Sequence, residues 1–387
     1  MEYSFDIPVK IRIAEPSEFQ SAIVDLARKK VCLFLTSSNM IRRLGMSELI
    51  DELKKVCKFQ LIEYSVTNPT EVDVKNVIDK IEQLPELIIA LGGGSILDLA
   101  KAVSAFSYII EEATEVEAIT AEIKSKKYLQ HAQKIDLAAV PTTSGTGSEV
   151  TRWATIWNYE HKEKFSIEAE WLLPKYAFIV PEFTKALPAR QTLSTGLDAL
   201  MHAVESYWSV NSNAIVREMA KSAIRLVVDY LPKLLQELDN IQYREKLSLA
   251  SLMAGLAFGN TRTTACHSIS YPLTMDYGVE HGFAAAVTLI EFMRFNQEYI
   301  VDYPLLLEAF HCPNIEVLEK WLCQLTRNIQ PCSLKSLGIK KEDIPVIVKK
   351  SFTLGRINNN PRYCGEKELS FILNTSFNKE SCKCLGS

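Results

Sequence analysis

The chain lacks the marks of a membrane, secreted or nucleic-acid-binding protein. No apolar run approaches the roughly 18 uninterrupted residues of a membrane span. The N-terminus, MEYSFDIPVKIRIAE, has no basic stretch leading into a long apolar core of the kind a secretory signal needs. Formal charge is −4, with Lys and Arg spread along the sequence, so no basic stripe offers itself to nucleic acid or an anionic lipid surface. The nine cysteines show no CxxC spacing, which removes the common zinc-ribbon pattern and leaves reduced, mostly buried thiols as the expectation. Two of them, Cys382 and Cys384, flank one lysine near the end of the chain, where fraying is usual. Internal repeats and low-complexity segments are also missing. What remains is an ordinary globular composition, expected in the cytoplasm.

With 387 residues, 47% apolar and 23% charged, the chain exceeds what one hydrophobic core usually serves, and two domains are expected. In the first half, β-rich runs (KIRIA, VCLFLT, FQLIEY, LIIAL, DLAAVP, YAFIVP) alternate with amphipathic stretches such as EFQSAIVDLARK and MSELIDELKKV. That alternation predicts a parallel sheet covered by helices over residues 1–184. The charged run 111–127 reads as a helical excursion before the sheet resumes. Helical patterns then cover 192–209, 213–237, 242–258, 282–300, 314–327 and 341–354, predicting an all-α domain over residues 185–387. A cleft between two such domains is a usual place for a ligand.

Glycine is scarce, 15 residues in all, and five sit in two short segments: Gly92, Gly93 and Gly94 in LGGGSILDLAK, and Gly145 and Gly147 in PTTSGTGSE. The first runs from an apolar strand into a helix, so bare N–H groups and a helix N-terminus can face a phosphate. In the second, the hydroxyls of Thr142, Thr143, Ser144, Thr146 and Ser148 add donors. Either segment alone could be a tight turn; two after successive strands point to a nucleotide. Neither is the GxGxxG fingerprint.

The segment GLDALMHAVE places Asp198, His202 and Glu205 in an otherwise apolar helix. At about 100° per residue, Asp198 and His202 stand one turn apart and Glu205 returns to nearly the same face. A carboxylate and an imidazole buried there need a partner or a metal, because leaving them bare costs several kcal/mol. Among six histidines, only His202, His267 in TTACHSISYPLT and His281 in YGVEHGFAAA lie in core-like sequence. One carboxylate and three imidazoles suit Fe²⁺ or Zn²⁺ and leave room for a substrate oxygen. Taken singly, each histidine also reads as a satisfied core residue.

Taken together, GGGSILDLAK, PTTSGTGSEVT, GLDALMHAVES, ACHSISYPLT and VEHGFAAA resemble the iron-dependent (group III) alcohol dehydrogenases, in that family's order and over nearly the whole chain. The resemblance implies a Rossmann-like N-terminal domain and a helical C-terminal domain. It implies a divalent metal held by Asp198, His202, His267 and His281. It also implies NAD(P)H along Gly93, Gly94, Ser95, Thr142 and Thr143, with Asn68, Asp98 and Lys164 nearby. The implied reaction moves hydride between the nicotinamide and an aldehyde polarised by the metal.

Three departures from that family's pattern carry information. After the second strand, Ser37 and Ser38 replace an aspartate, and Arg42 or Arg43 could meet a 2′-phosphate, which favours NADPH over NADH. Tyr271 stands where many members have a histidine for proton relay. Arg152 and Arg262 suit an anion, although surface ion pairing explains such residues as well. The wording TRWATIW followed by HSISYPLT is similar to the phosphonoacetaldehyde reductase branch, implying reduction of phosphonoacetaldehyde to 2-hydroxyethylphosphonate. The alternatives are an alcohol dehydrogenase for uncharged substrates, a metal-dependent lyase resembling dehydroquinate synthase, and a non-catalytic nucleotide-binding protein. A homodimer is the expected assembly.

Overall fold

The computed structural model describes residues 7–109, 115–132, 135–352 and 355–378. Cys382 and Cys384, and the first four residues of the charged run 111–127, lie outside the described residues. The chain forms two compact units, one of Ile7–Thr143 with Ser148–Thr184, the other of Ser144–Gly147 with the described residues from Lys185 onward. The second glycine-rich turn is therefore shared out, its central four residues belonging with the helices.

The α/β unit contains β1 (Lys10–Ile13), β2 (Val31–Thr36), β3 (Lys58–Glu63), β4 (Leu87–Gly92), β5 (Asp136–Pro141), β6 (Trp153–Asn158), β7 (Glu163–Glu168) and β8 (Tyr176–Ile179). Its helices are α1 (Pro16–Ala27), α2 (Ser38–Arg43), α3 (Ser47–Val56), α4 (Glu71–Ile78), α5 (Gly94–Ala105) and α6 (Val116–Ser125). Six strands pair in parallel in the order β1-β8-β5-β4-β2-β3, with Leu87 opposite Asp136 and Gly92 opposite Pro141 at the centre. Alternate residues of each strand serve opposite faces. Leu33, Leu35 and Ile88 pack with Leu97 and Val103 of α5, while Phe34, Ile89 and Leu91 pack with Phe19 and Phe178. A sheet buried on both faces explains why its strands read as continuous apolar runs. The β6–β7 pair is an antiparallel hairpin that the sequence pattern does not signal.

The helical unit contains α7 (Ala189–Trp208), α8 (Ala214–Leu234), α9 (Ile241–Thr261), α10 (Ala265–Tyr277), α11 (His281–Ala286), α12 (Leu289–Asn296), α13 (Tyr303–Ala309), α14 (Ile315–Thr326), α15 (Ile344–Lys350) and α16 (Glu366–Asn378). The run 282–300, expected as one helix, is divided into α11, α12 and a 3-10 turn, and 341–354 contributes only the short α15 after a 3-10 turn. Helix α10 is not among the helices the pattern predicts. At the centre, α7 packs so closely that a Cβ on Gly282 of α11 would stand 1.8 Å from the Ser194 carbonyl oxygen, so only glycine fits. Among the described residues, no helix is long and apolar enough to cross a membrane. Cys32, Cys57, Cys266, Cys312 and Cys364 are free thiols, but Cys323 is disulfide-bonded, which corrects the expectation of reduced thiols throughout.

Candidate active site

Three helices of the helical unit bring Asp198, His202, His267 and His281 together. Asp198 and His202 come from α7, His267 from the first turn of α10, and His281 opens α11. Around Asp198 Oδ1, the Nε2 atoms of His267, His281 and His202 stand at 3.3, 3.7 and 3.9 Å. Donors about 2.1 Å from one tetrahedral ion are about 3.4 Å apart, so the three distances from Asp198 Oδ1 are of the size a shared divalent cation requires. The donor atoms of Asp198, His267 and His281 all lie within 4.8 Å of one another. Asp198, His202 and His267 are buried, whereas His281 is half-buried.

The remaining ring nitrogens of His202 and His267 are committed elsewhere, which leaves their Nε2 lone pairs to the centre. His202 Nδ1 meets the Gly145 carbonyl at 3.2 Å, and a carbonyl can only accept, so that nitrogen carries the proton. His267 Nδ1 bonds the Glu205 carboxylate, which is fully buried and also accepts from Thr264 Oγ1 at 2.6 Å and from the Cys266 N–H at 2.8 Å. A carboxylate behind a histidine orients it and raises its basicity toward an ion. Reasoning from sequence left Glu205 without a role, although its position on the α7 face was the available signal. His202 is stacked between Phe258 and His267, with ring centroids 4.0 and 4.5 Å away.

Charge follows geometry. Burial works to raise the Asp198 carboxyl, but His202, His281 and His267 hold it well below the usual carboxylate range. Burial pushes His202 down to about 4. Burial would lower His267 as well, yet Glu205 and Asp198 carry it up to about 8, so an ion there must displace that proton.

Tyr271, on α10, is stacked on His281 with centroids 6.2 Å apart and planes 11° from parallel. Burial raises its hydroxyl above the ordinary tyrosine value, which makes it a weak proton donor near neutral pH. Arg262 sits between α9 and α10. Arg152, by contrast, pairs with Glu168 along the hairpin, its Nε 3.2 Å from Oε1, as the surface ion-pair account anticipates.

In the α/β unit, β4 passes directly into α5 through Gly93, where an added Cβ would come 3.3 Å from Thr143 Cγ2. Thr142 is fully buried, and its hydroxyl has no hydrogen-bond partner among the described residues. Bare N–H groups at the start of a 12-residue helix, beside an unpartnered hydroxyl, suit a dinucleotide phosphate. Asn68 adopts φ +55, its N–H donating to Ser95 Oγ at 3.1 Å. Asp98 and Ser148 bond each other at 2.6 Å, and Asp98 also accepts the Thr155 N–H at 2.9 Å. The Ser37 hydroxyl caps α2, accepting from the Met40 N–H at 3.2 Å. Lys164 lies over the Trp157 ring, and Thr146 is half-buried.

The second turn differs from its expected use. Gly147, at φ +60, would drive a Cβ to within 2.6 Å of the Gly255 Cα, and Gly145 approaches Thr195 as closely. These glycines fit the turn against α9 and α7. Sequence reading also missed Lys101, which is fully buried and donates to the Ser148 carbonyl at 2.6 Å and the Trp153 carbonyl at 3.0 Å.

Residues 11–181 match the family described as iron-containing alcohol dehydrogenase, and residues 192–377 its C-terminal part, described as Fe-containing alcohol dehydrogenase family, C-terminal. A 1,3-propanediol dehydrogenase of Klebsiella pneumoniae is 31% identical over 325 residues, covering 80% of this chain and 81% of the relative. Among solved structures, sulfoacetaldehyde reductase from Bifidobacterium kashiwanohense in complex with NAD⁺ superposes with a TM-score of 0.85 at 27% identity, over 98% of this chain and 100% of its own. An iron-containing alcohol dehydrogenase from Thermotoga maritima superposes with a TM-score of 0.80 at 26% identity, over 97% and 99%. The four converging donors and the glycine turn thus lie in a chain that matches one family over nearly its whole length: it belongs to the iron-containing alcohol dehydrogenases.

Proposed function

We propose that the chain interconverts a small aldehyde and a primary alcohol using a nicotinamide dinucleotide, with Asp198, His202, His267 and His281 as the ligands of Fe²⁺ or Zn²⁺. The observation that carries this is the convergence of three Nε2 atoms on Asp198 Oδ1. A bound divalent ion supplies Lewis-acid polarisation of the carbonyl, and the nicotinamide supplies hydride. The chain's own residues do the rest. Glu205 and the Gly145 carbonyl fix two imidazoles in the tautomer that presents Nε2. Gly93, Gly94 and Ser95 offer the start of α5 to the pyrophosphate, with Thr142, Thr143, Thr146, Asn68 and Lys164 as further contacts. Asp98 and Ser148, bonded to each other, stiffen that wall from within. Tyr271, stacked on His281, orients that ring; its raised hydroxyl makes water the better proton carrier.

The finer reading is an anionic aldehyde such as phosphonoacetaldehyde, reduced with NADPH by a homodimer. It is supported by Arg356, whose guanidinium carbon lies 5.3 Å from the centroid of the Tyr271 ring that is stacked on His281, and by the likeness to a reductase named for an aldehyde bearing a sulfonate. Ser37 and Ser38 with Arg42 and Arg43 support the NADPH preference. The test follows oxidation of NADPH or NADH by protein loaded anaerobically with Fe²⁺ or Zn²⁺, offering phosphonoacetaldehyde, propanal and glycolaldehyde. Preferred turnover of the phosphonate aldehyde with NADPH is expected. Equal turnover of all three would discard the anionic substrate and leave a general aldehyde reductase; silence with every metal would overturn the reading. Sedimentation velocity checks the dimer.

A further inference from the structure

Beside the ligand set, α9 ends in a strained residue. Arg262 has φ +62 and ψ 173, a region almost reserved for glycine, where a non-glycine residue persists only if its surroundings enforce it. Arg262 Nη1 comes 3.5 Å from where a Cβ on Gly355 would stand, so the Arg262 side chain runs against the segment that carries Arg356.

Arg356 is the more telling of the two. Its Nη1 donates to Thr263 Oγ1 at 2.7 Å, and its guanidinium carbon lies 5.3 Å from the centroid of the Tyr271 ring, the ring stacked on His281. The backbone around it is fixed: the Asn359 side-chain amide donates to the Thr263 carbonyl at 3.1 Å and the Gly355 carbonyl at 2.8 Å, and the Asn359 N–H donates to the Arg356 carbonyl at 2.8 Å. A guanidinium has five N–H donors. Thr263 takes one, and among the described residues no carboxylate pairs with Arg356. A half-buried, immobilised cation with donors to spare, one aromatic ring away from a metal-ligand histidine, is pre-organised for an oxyanion on a short substrate.

We propose that Arg356 receives the acidic end of the substrate, an aldehyde carrying a phosphonate or sulfonate a few bonds from its carbonyl. Arg152, occupied by Glu168, does not serve this role. The assignment rests on the anionic-substrate reading above. It makes Arg356 a specificity-determining residue rather than a catalytic one.

The test compares kcat/KM for phosphonoacetaldehyde, sulfoacetaldehyde and propanal in the wild type, Arg356→Met, Arg356→Lys and Arg152→Met, all metal-loaded. Loss of a charge-assisted contact predicts a fall of about 10- to 100-fold in the anionic-to-neutral ratio for Arg356→Met. The fall is expected in KM more than in kcat, with partial recovery in Arg356→Lys or on adding guanidinium ion. The two anionic aldehydes show which head group the corner prefers. Calorimetric binding of ethanesulfonate to the metal-loaded wild type, lost in a folded Arg356→Met, is the readout independent of turnover. If the wild type prefers the anionic aldehydes and Arg356→Met keeps that preference, or Arg152→Met loses it instead, this assignment falls while the anionic reading stands. If the wild type shows no preference, both fall.

Discussion

Two turns that look alike in sequence are used in opposite ways. In LGGGS Gly92 is packed against Ile96, but Gly93 clears the start of α5, where a Cβ would meet nothing closer than the Thr143 methyl at 3.3 Å. In SGTGS the glycines are consumed by packing, since Gly147 combines a left-handed φ with contact to Gly255, and the Gly145 carbonyl orients His202. The first turn keeps its backbone available to a ligand; the second spends its backbone on holding a ligand's protein partner. Glycine content identifies a place where backbone must come close, but what approaches it is decided by the fold.

That contrast can be broken by substitution. Gly147→Ala adds a left-handed penalty to a backbone clash, and a loss of about 3 kcal/mol or more is expected, read as a lower urea midpoint together with weaker metal retention. A neutral outcome would show that the turn is not pinned between helices.

Next in size is the carboxyl that follows the second turn. Burial pushes Glu149 up to about 7, partly offset by Lys101, itself pushed down to about 8 by burial. The folded chain therefore binds the Glu149 proton more tightly than the unfolded chain does. Its contribution to stability is complete below the unfolded value near 4.5 and is lost as pH rises through 7. Glu149→Gln is expected to stabilise by about 2 kcal/mol at pH 8 and to change little at pH 5. Equal melting shifts at the two pH values would contradict this assignment of the charge.

Glu205→Gln keeps the shape behind His267 but removes the negative charge, and metal affinity should fall by about 10- to 100-fold in a chelator competition. Retained affinity would reduce Glu205 to a packing group. The smallest effect is expected for Gly93→Ala. Its φ of −71 suits alanine and the Thr143 methyl must give only slightly, so melting should move little while KM for the dinucleotide rises by about tenfold through lost approach. A change in melting without one in KM would reverse the roles given to the two turns.

Much of the architecture could be read directly. Strands such as VCLFLT and DLAAVP coincide with β2 and β5 residue for residue, because a sheet covered on both faces demands unbroken apolar runs. The convergence of Asp198, His202, His267 and His281 was legible too, since acids and imidazoles in apolar sequence must find a partner. Helix α10 escaped notice because residues 265–274 are buried on every side, which erases the helical period, and Pro272 suggested a break. The β6–β7 hairpin was hidden by its charged loop and aromatic strands, which interrupt the alternation of strand and helix. Arg356 could not be foreseen: nothing local distinguishes it, and its meaning comes from Thr263 and Tyr271, far away along the chain.

The four donors are not equally sheltered. Side chains of Asp198, His202 and His267 are 5%, 6% and 2% exposed, against 35% for His281. Exchange of an ion in such a set is one-sided. With an ion held by the proposed ligands, a competing chelator would reach His281 before the other three, so loading and stripping should be fast for small reagents and slow for bulky ones of equal affinity. The identity of the ion in the cell then depends on what can pass that single imidazole, as well as on which ion binds best.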